Sequence, residues 1–583
     1  SDDEITREDY IGIVQRIERE FLKGVQRNIR TRVLAEWVTN LKMIFSASYS
    51  RTLRVGELYE SELFARVPDG VKVEGPRWLP DWAAKLFGLR RDRRWLNDLY
   101  IHPLLPDGTQ QTDFKPRSHN WRRASKSPDL ILNAATLNTG HNWQFTASWM
   151  GEPPTPINAD IDCNYRLRRM YYENAPEPYR QFRLGHAVAA SSCVPGLFEP
   201  LILDGLYPYD ADGKLNDKQR ISVRLVDGGA VDNQGINSLL EQDCTVMLIS
   251  DGSGQMDAQN VPDGGLLGPP LRTNSILQAR IREAQYTDIA SRRRSSLLRA
   301  LMFIHLRQEL TGENLAWKDC PSKYRESDFE RADAGRNDST SFGVAPAVQR
   351  QLSAIRTDLD SFSDAEAYAL MASAYRMTAI QFTGDKRTVE GFAEPDTTPC
   401  WDFLKVEDAM RAESADGDMA RRRHLERLLD VGSNIAFKIW MLSGALKAIG
   451  YALAVAAVVG LVVLFYRMWE QPFQPMVYAG AAYEWVRQYL PFLPALPALT
   501  FGFIGGVVIS TLVVTAITIV VNYYLGKRRG KLVMKAFNWR RTLTDIGVGL
   551  VMATVGFAAA RLHLHVFDKL FLRYGRLAKF PKS

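Results

Sequence analysis

Cysteine is scarce in this sequence and scattered. The five thiols, Cys163, Cys193, Cys244, Cys320 and Cys400, are odd in number and far apart, and no two form a CxxC pair. That spacing excludes a disulfide framework and a thiolate zinc site, and it reads as reduced, buried thiols of a cytosolic domain. The eight histidines contain no HExxH or comparable cluster, so neither a zinc site nor another cofactor is expected. Charge of one sign is also in short supply. The net charge of +7 is modest for 583 residues, and no basic stripe interleaved with aromatics marks a nucleic-acid partner. The opening SDDEITREDY carries neither a Met nor a signal peptide. Thr6, with Asp9 three residues on, reads instead as the cap of a helix, and the chain is expected to begin inside a larger protein.

What is present is ordinary globular material followed by an apolar tail. Hydrophobic content of 46 % and charged content of 24 % are usual for a folded protein, and 583 residues suffice for more than one domain. Tyr10, Val14, Ile17, Phe21, Val25 and Ile29 recur at helical spacing, and the helix is expected to run on through LAEWVTNLKMIF. LYESELFARV reads as another short helix. Residues 68–127, rich in Pro, Gly, Arg and Trp, read as an irregular insertion with a solvated charged face. Strands are expected at Leu130–Thr136, over NWQFTAS, at Ile221–Val226 and at Cys244–Ser250. RLGHAVAASS between them reads as a helix of small residues, and INSLLEQ as a short helix. Strand, helix and strand with near-continuous apolar runs predict a parallel sheet covered on both faces. Helical patterns over 274–310 and 345–381 predict a helical extension at about 270–400, and RAESADGDMARRR reads as a polar connector.

These elements divide into a domain at 1–430 and an apolar region at 431–583. Ala448–Phe465 and Ala498–Val521 are uncharged and read as two membrane spans. Basic residues in ARRRHLER and KRRGKLVMKAFNWRR place both flanks, and the large domain, on the cytoplasmic side. Ile546–Ala560 is shorter and reads as an interfacial or partial insertion, since a third full span would put the basic tail outside. Gly502, Gly506 and Ser510 form a small-residue stripe that suits helix packing, and with it an oligomer through membrane helices, as well as it suits ordinary glycine usage.

In LVDGGAVDNQG, Asp227 stands where the strand Ile221–Val226 ends. Functional residues of parallel sheets gather at such carboxyl ends. Gly228 and Gly229 permit a tight turn and close approach of another backbone. Asp-Gly-Gly alone is most often a plain turn. Asp232 and Asn233 read as turn formers, with Asn233 placed to hold the Asp227 loop through its side chain.

The surroundings carry more. AVAASSCVPGLFEPL followed by VDGGAVDNQGI resembles the second sequence block of the patatin-like phospholipase family. PDLILNAATLNTGHNWQFT is similar to the family's central strand pair, and Ile355–Tyr375 resembles a helical signature of its large bacterial members. The resemblance covers about residues 1–380. It implies an α/β, three-layer patatin-like fold with a mostly parallel sheet, here with helical C-terminal additions and a transmembrane helical region. It also implies a Ser-Asp dyad without histidine. The serine of a GxSxG elbow attacks an acyl carbonyl, the aspartate takes its proton and returns it to the leaving alcohol, and backbone N–H groups of a glycine-rich loop hold the oxyanion. By this resemblance Asp227 is the catalytic base, and Gly228, Gly229 and Asn233 form its active-site loop.

No GxSxG occurs in the sequence, and no glycine-rich oxyanion loop precedes Asp227. The nucleophile is therefore expected upstream of Ser1. Ser191 and Ser192 read as packing residues of the small-residue helix, Ser253 in SDGSGQ as part of a turn, and His186 as structural. The implied function is a membrane-anchored lipid acyl hydrolase acting on phospholipid or other acyl esters at a lipid bilayer. The alternative is a non-catalytic, membrane-associated module that keeps the fold for lipid binding or assembly. A channel is disfavoured because neither strong span holds an ionisable residue.

Overall fold

The computed structural model describes most of residues 6–66, 93–310, 339–468 and 553–580. The chain divides into two compact units. The first comprises Ser1–Val33, Tyr49–Lys438 and Val566–Ser583; the second comprises Leu34–Ser48 and Ile439–His565.

Helix α1, Arg7–Val25, starts at a capping box in which Thr6 accepts from the Asp9 N–H and the Asp9 carboxylate accepts from the Thr6 N–H at 2.8 Å. The single long helix expected here is interrupted. Asn28 adopts the left-handed conformation, φ 56°, and its side chain caps a new short helix, α2, Ile29–Arg32. A third piece, α3, follows at Trp37–Phe45 in the second unit. Asparagine can satisfy backbone N–H groups locally and tolerates positive φ, so it breaks a pattern that apolar spacing alone makes continuous. Helix α4, Arg51–Glu62, then returns to the first unit.

The expected α/β fold built on a mostly parallel sheet is not what forms. Six strands make one sheet in the order β4–β3–β2–β1–β6–β5, and each neighbouring pair is antiparallel. They are β1 Leu132–Thr136, β2 Asn142–Phe145, β3 Trp149–Gly151, β4 Met170–Tyr171, β5 Leu201–Asp204 and β6 Ser222–Asp227. The short link Leu137–His141, with Gly140 at φ 78°, can only turn the chain back on itself. A parallel connection needs roughly a dozen residues or more. One buried face carries Trp143, Phe145, Met150, Leu203 and Leu225, against which α5, Leu184–Ser191, lays Ala187 and Ala190.

Helix α6, Ile236–Glu241, leads to β7, Val246–Asp251, which does not join this sheet. It pairs in parallel with β8, Ala300–His305, across the crossover helix α7, Gly268–Arg294. The helical pattern read over 274–310 thus ends at Arg294 and gives way to a strand. Short apolar runs do not distinguish the two by periodicity. The second helical stretch is likewise two helices, α8 at Pro346–Ser353 and α9 at Asp364–Phe382. Among the described residues of 93–127, regular structure consists of short helical turns and the isolated antiparallel bridges Trp95–Arg183 and Leu104–Gln110. Cys193 is buried, Cys244 half-buried and Cys400 exposed, each a free thiol, while Cys163 and Cys320 lie outside the described residues.

In the second unit, α10, Gly444–Met468, covers the first expected span. Among the described residues no helix is long and apolar enough to cross a membrane. This overturns the reading of a multi-pass membrane protein with a transmembrane region and a cytoplasmic domain. An uncharged run is a property of composition and does not by itself fix what surrounds the helix: Ile449, Tyr451, Leu453, Val455, Val459 and Val463 of α10 are exposed. The second expected span, with Gly502, Gly506 and Ser510, lies outside the described residues, as does the first part of 546–560.

The two helices that matter most for the site, α4 and α5, touch backbone to backbone. A Cβ on Gly56 would stand 2.8 Å from the Gly185 carbonyl oxygen, and one on Gly185 would overlap the Gly56 carbonyl oxygen. Neither obstacle is a flexible side chain. Gly185→Ala is therefore expected to destabilise the fold by about 1–3 kcal/mol, the usual range for overpacking. Urea unfolding reads this as a lowered midpoint; an unchanged midpoint would mean the helices can separate freely.

Candidate active-site turn

Strand β6 ends at Asp227, in register with Ala134 of β1. The Asp227 N–H donates to the Cys193 carbonyl at 3.1 Å, which ties the strand end to the residue just beyond α5. Its carboxylate then caps the turn that follows: Oδ1 accepts from the Gly229 N–H at 2.7 Å. Oδ2 accepts no hydrogen bond among the described residues, and Asp227 is half-buried. The carboxylate is thus held in orientation through one oxygen and open at the other.

Both glycines are required, for different neighbours. A Cβ on Gly228 would lie 2.5 Å from the Asn133 carbonyl oxygen of the adjoining strand segment. A Cβ on Gly229 would meet Asn233 Oδ1 at 2.8 Å and Asp227 Oδ1 at 3.1 Å. Gly228 therefore makes room for β1 and Gly229 for the turn's own side chains. Asn233 is exposed and its side chain makes no hydrogen bond among the described residues, so the loop is not held by it. Asp232 takes that role. It is buried, and it accepts from the N–H groups of Ile236 at 3.1 Å and Asn237 at 2.8 Å, and from Gln285 Nε2 at 2.9 Å. It caps α6 and fixes the far end of the turn.

Burial shifts three titratable groups at this turn, Asp227, Tyr59 and Cys193, all upward. Burial raises the Asp227 carboxyl above its ordinary range, with the Gly229 N–H opposing part of the rise. Tyr59, on α4, is pushed up to about 12 by burial, with its bond to Ser192 opposing and the Asp227 charge adding to the rise. The Cys193 thiol is also pushed up to about 12, by burial first and by the Asp227 charge as well. Both stay protonated at neutral pH, which leaves Asp227 as the one basic group of this cluster. The Tyr59 hydroxyl and Ser192 Oγ lie 3.1 Å apart, and Ser192 Oγ donates to the Val188 carbonyl at 3.0 Å. That engagement matches a packing role for Ser192. Ser253 lies in a separate turn, its N–H donating to Asp251 Oδ1 at 2.9 Å. His186 packs its ring against Gly56.

Asp227, Gly228, Gly229 and Asn233 thus share one turn, as their adjacency in sequence requires. Tyr59 and Cys193 were not singled out by the sequence. The available signal was weak: Gly56 and Tyr59 stand on one face of a short helix, three residues apart. Among the described residues no three His, Cys, Asp or Glu side chains are grouped to hold a metal ion. No family model matches the chain, and neither the curated proteins nor the solved structures give a match.

The raised Asp227 pKa has a consequence for stability. A folded-state value above the unfolded 3.8 means that the protonated carboxyl suits the fold better than the carboxylate. Its favourable contribution is full below the unfolded value and is lost as pH rises through the folded one. Asp227→Asn removes this titration. The stability of the unsubstituted protein relative to Asp227→Asn is expected to fall as pH rises from about 3.5 toward 7, read from urea midpoints. A pH-independent difference would show that the carboxylate is not penalised by burial.

Proposed function

We propose that Asp227 is the general base of a serine hydrolase acting on lipid acyl esters, with its nucleophilic serine supplied from outside residues 1–583. One observation carries the reading: a partly buried carboxylate of raised pKa, fixed through Oδ1 and, among the described residues, without a hydrogen bond at Oδ2. A base works best when its pKa approaches the working pH, and burial moves an aspartate in that direction. Fixing one oxygen removes rotational freedom from the carboxylate, so the free oxygen meets its partner in a defined direction. Oδ2 takes the serine proton as Oγ attacks the acyl carbonyl and returns it to the leaving alkoxide oxygen. The same carboxylate then takes a proton from the water that attacks the acyl-serine and returns it to serine Oγ as the acid leaves. The resemblance of the residues flanking Asp227 to the second patatin-like block supports this assignment, although the antiparallel sheet is not the fold that resemblance implies.

Tyr59 and Cys193 serve this chemistry by remaining neutral. Neither competes for the serine proton near pH 7, and neither neutralises the Asp227 charge. The Gly228 contact with Asn133 holds the strand end against β1, so the base does not retreat when it loses or gains charge.

The 583-residue chain by itself is expected to be inactive toward acyl esters. The full-length gene product, assayed with a p-nitrophenyl acyl ester and with phosphatidylcholine in detergent micelles, is expected to release fatty acid. Asp227→Asn is expected to lower kcat by about 10²–10⁴-fold without loss of circular-dichroism signal. Full activity of Asp227→Asn would overturn the assignment. Absence of hydrolysis by the full-length product, with lipid binding retained, would instead mark a non-catalytic lipid-binding module.

A further inference from the structure

The parallel pair β7–β8 ends at a cavity that the Asp227 chemistry does not use. Its volume is about 300 Å³. Ligands of sheets with parallel strands bind beyond the strands' carboxyl ends. Asp251 and His305, the last residues of β7 and β8, both line it. Much of the apolar wall comes from α9. Leu370, Ala374 and Met377 recur at helical spacing and so lie on one face of that helix. Ala374 is the small residue of the three, and the volume a larger side chain would take there stays open. Ile304, Ile355 and Phe362 extend the apolar lining. Ile304, Ile355 and Met377 are buried, whereas Ser250, Gly252 and Thr357 are exposed. The cavity therefore has an apolar interior and a rim that reaches solvent.

The charged and titratable groups of the lining are already engaged within the protein. Asp251 accepts from the Ser253 N–H at 2.9 Å and faces Arg282 at 3.6 Å. Arg356 is committed to Asp360 at 2.5 Å and Glu366 at 2.8 Å, and it donates to the Gly432 and Ser361 carbonyls at 2.6 Å. His305 has interactions of its own within the fold, and burial lowers its pKa from 6.5, so the imidazole is neutral at pH 7. A charged ligand would find no unbalanced counter-charge here and would lose its hydration on entry. An apolar ligand loses no such partner and gains by leaving water.

We propose that this cavity binds a small uncharged hydrocarbon, seated at Ala374 on the α9 face against Ile304, Ile355 and Phe362, and held by apolar contact without a hydrogen bond. For scale, a dry apolar cavity of about 150 Å³ accepts benzene, so about twice that volume suits roughly ten carbon atoms. A concave site lined mainly by aliphatic and aromatic side chains is the usual construction of a small-molecule pocket. The site is independent of the acyl-hydrolase assignment, since none of its lining residues belongs to the Asp227 turn.

The test uses naphthalene as probe and 2-naphthoate, the same ring system carrying a carboxylate, as its charged counterpart. Both are titrated calorimetrically into the whole chain. Naphthalene is expected to bind with one-to-one stoichiometry and a negative heat-capacity change, the mark of apolar burial. 2-Naphthoate is expected to bind at least about tenfold more weakly, because its charge is desolvated without a partner. Ala374→Phe puts a ring into the open volume and is expected to abolish naphthalene binding while the circular-dichroism signal is kept. A crystal soaked with 1-bromonaphthalene needs no substitution and locates the probe by the anomalous scattering of its bromine, expected beside Ala374 and Ile304. Absence of naphthalene binding, binding that survives in folded Ala374→Phe, or bromine only at other places would overturn the site. An affinity for 2-naphthoate equal to that for naphthalene would overturn the hydrocarbon assignment.

Discussion

The backbone contact between Gly56 and Gly185 sets the geometry around Asp227. Helices normally stand 8–10 Å apart because side chains intervene. Here no side chain fits, and the two carbonyls face glycine Cα atoms directly. Directly beside the crossing, the fully buried Glu60 carboxylate accepts from the Gly185 N–H at 3.1 Å and pairs with Arg183. An unpaired carboxylate there would be costly, so the ion pair and the glycine contact require each other. With α4 seated this close, α5 can set its alanine face on the sheet. Cys193, just past α5, then presents its carbonyl to the Asp227 N–H, and Tyr59 reaches Ser192. The direction of a carboxylate on β6 thus depends on two glycines in helices far from it in sequence.

A second constraint organises the rest of the first unit. The Arg356 guanidinium, only 3 % exposed, is paired with Asp360 and Glu366, and Lys438 approaches Asp360 at 3.1 Å. Ser361 donates to Asp568, whose other oxygen accepts from Asn28 Nδ2 at 3.2 Å. The network joins the end of the first helical segment, the turn before α9 and the C-terminal stretch, segments hundreds of residues apart. Buried ions of this kind give little net stability compared with apolar groups of the same shape, but losing one partner leaves an uncompensated charge. Arg356 also lines the cavity beside β7 and β8, so that wall is fixed by its ion pairs to Asp360 and Glu366.

Local signals in the sequence were reliable where the physics is local. The Thr6–Asp9 capping box, the strand ending at Asp227 and the small-residue helix before Cys193 all lie where spacing and turn chemistry put them. What spacing does not carry is partnership. Apolar strands separated by helices suggested a parallel sheet, yet β1 and β2 fold back through the short Leu137–His141 link, and β6 and β7 end in different sheets. Asn28 broke a helix that apolar periodicity made continuous. Asn233 was expected to hold the Asp227 loop, whereas Asp232 does so, because its carboxylate can accept from three donors at once. The strand-end pattern also recurs: LISDGSG repeats the apolar-run, Asp, Gly order of LVDGGAV, and in both the Asp side chain accepts from the N–H two residues on. In the second case the residue in register with the Asp, His305, comes from a strand more than fifty residues away, which no motif reveals.

The most direct measurement is a crystal structure of the full-length gene product after reaction with a fluorophosphonate, which labels an activated serine covalently. The expected result is one labelled serine, lying outside the present 583 residues, with its Oγ within about 3 Å of Asp227 Oδ2. A labelled serine remote from Asp227, or Asp227 Oδ2 bonded instead to a structural donor, would contradict the assignment of Asp227 as the base.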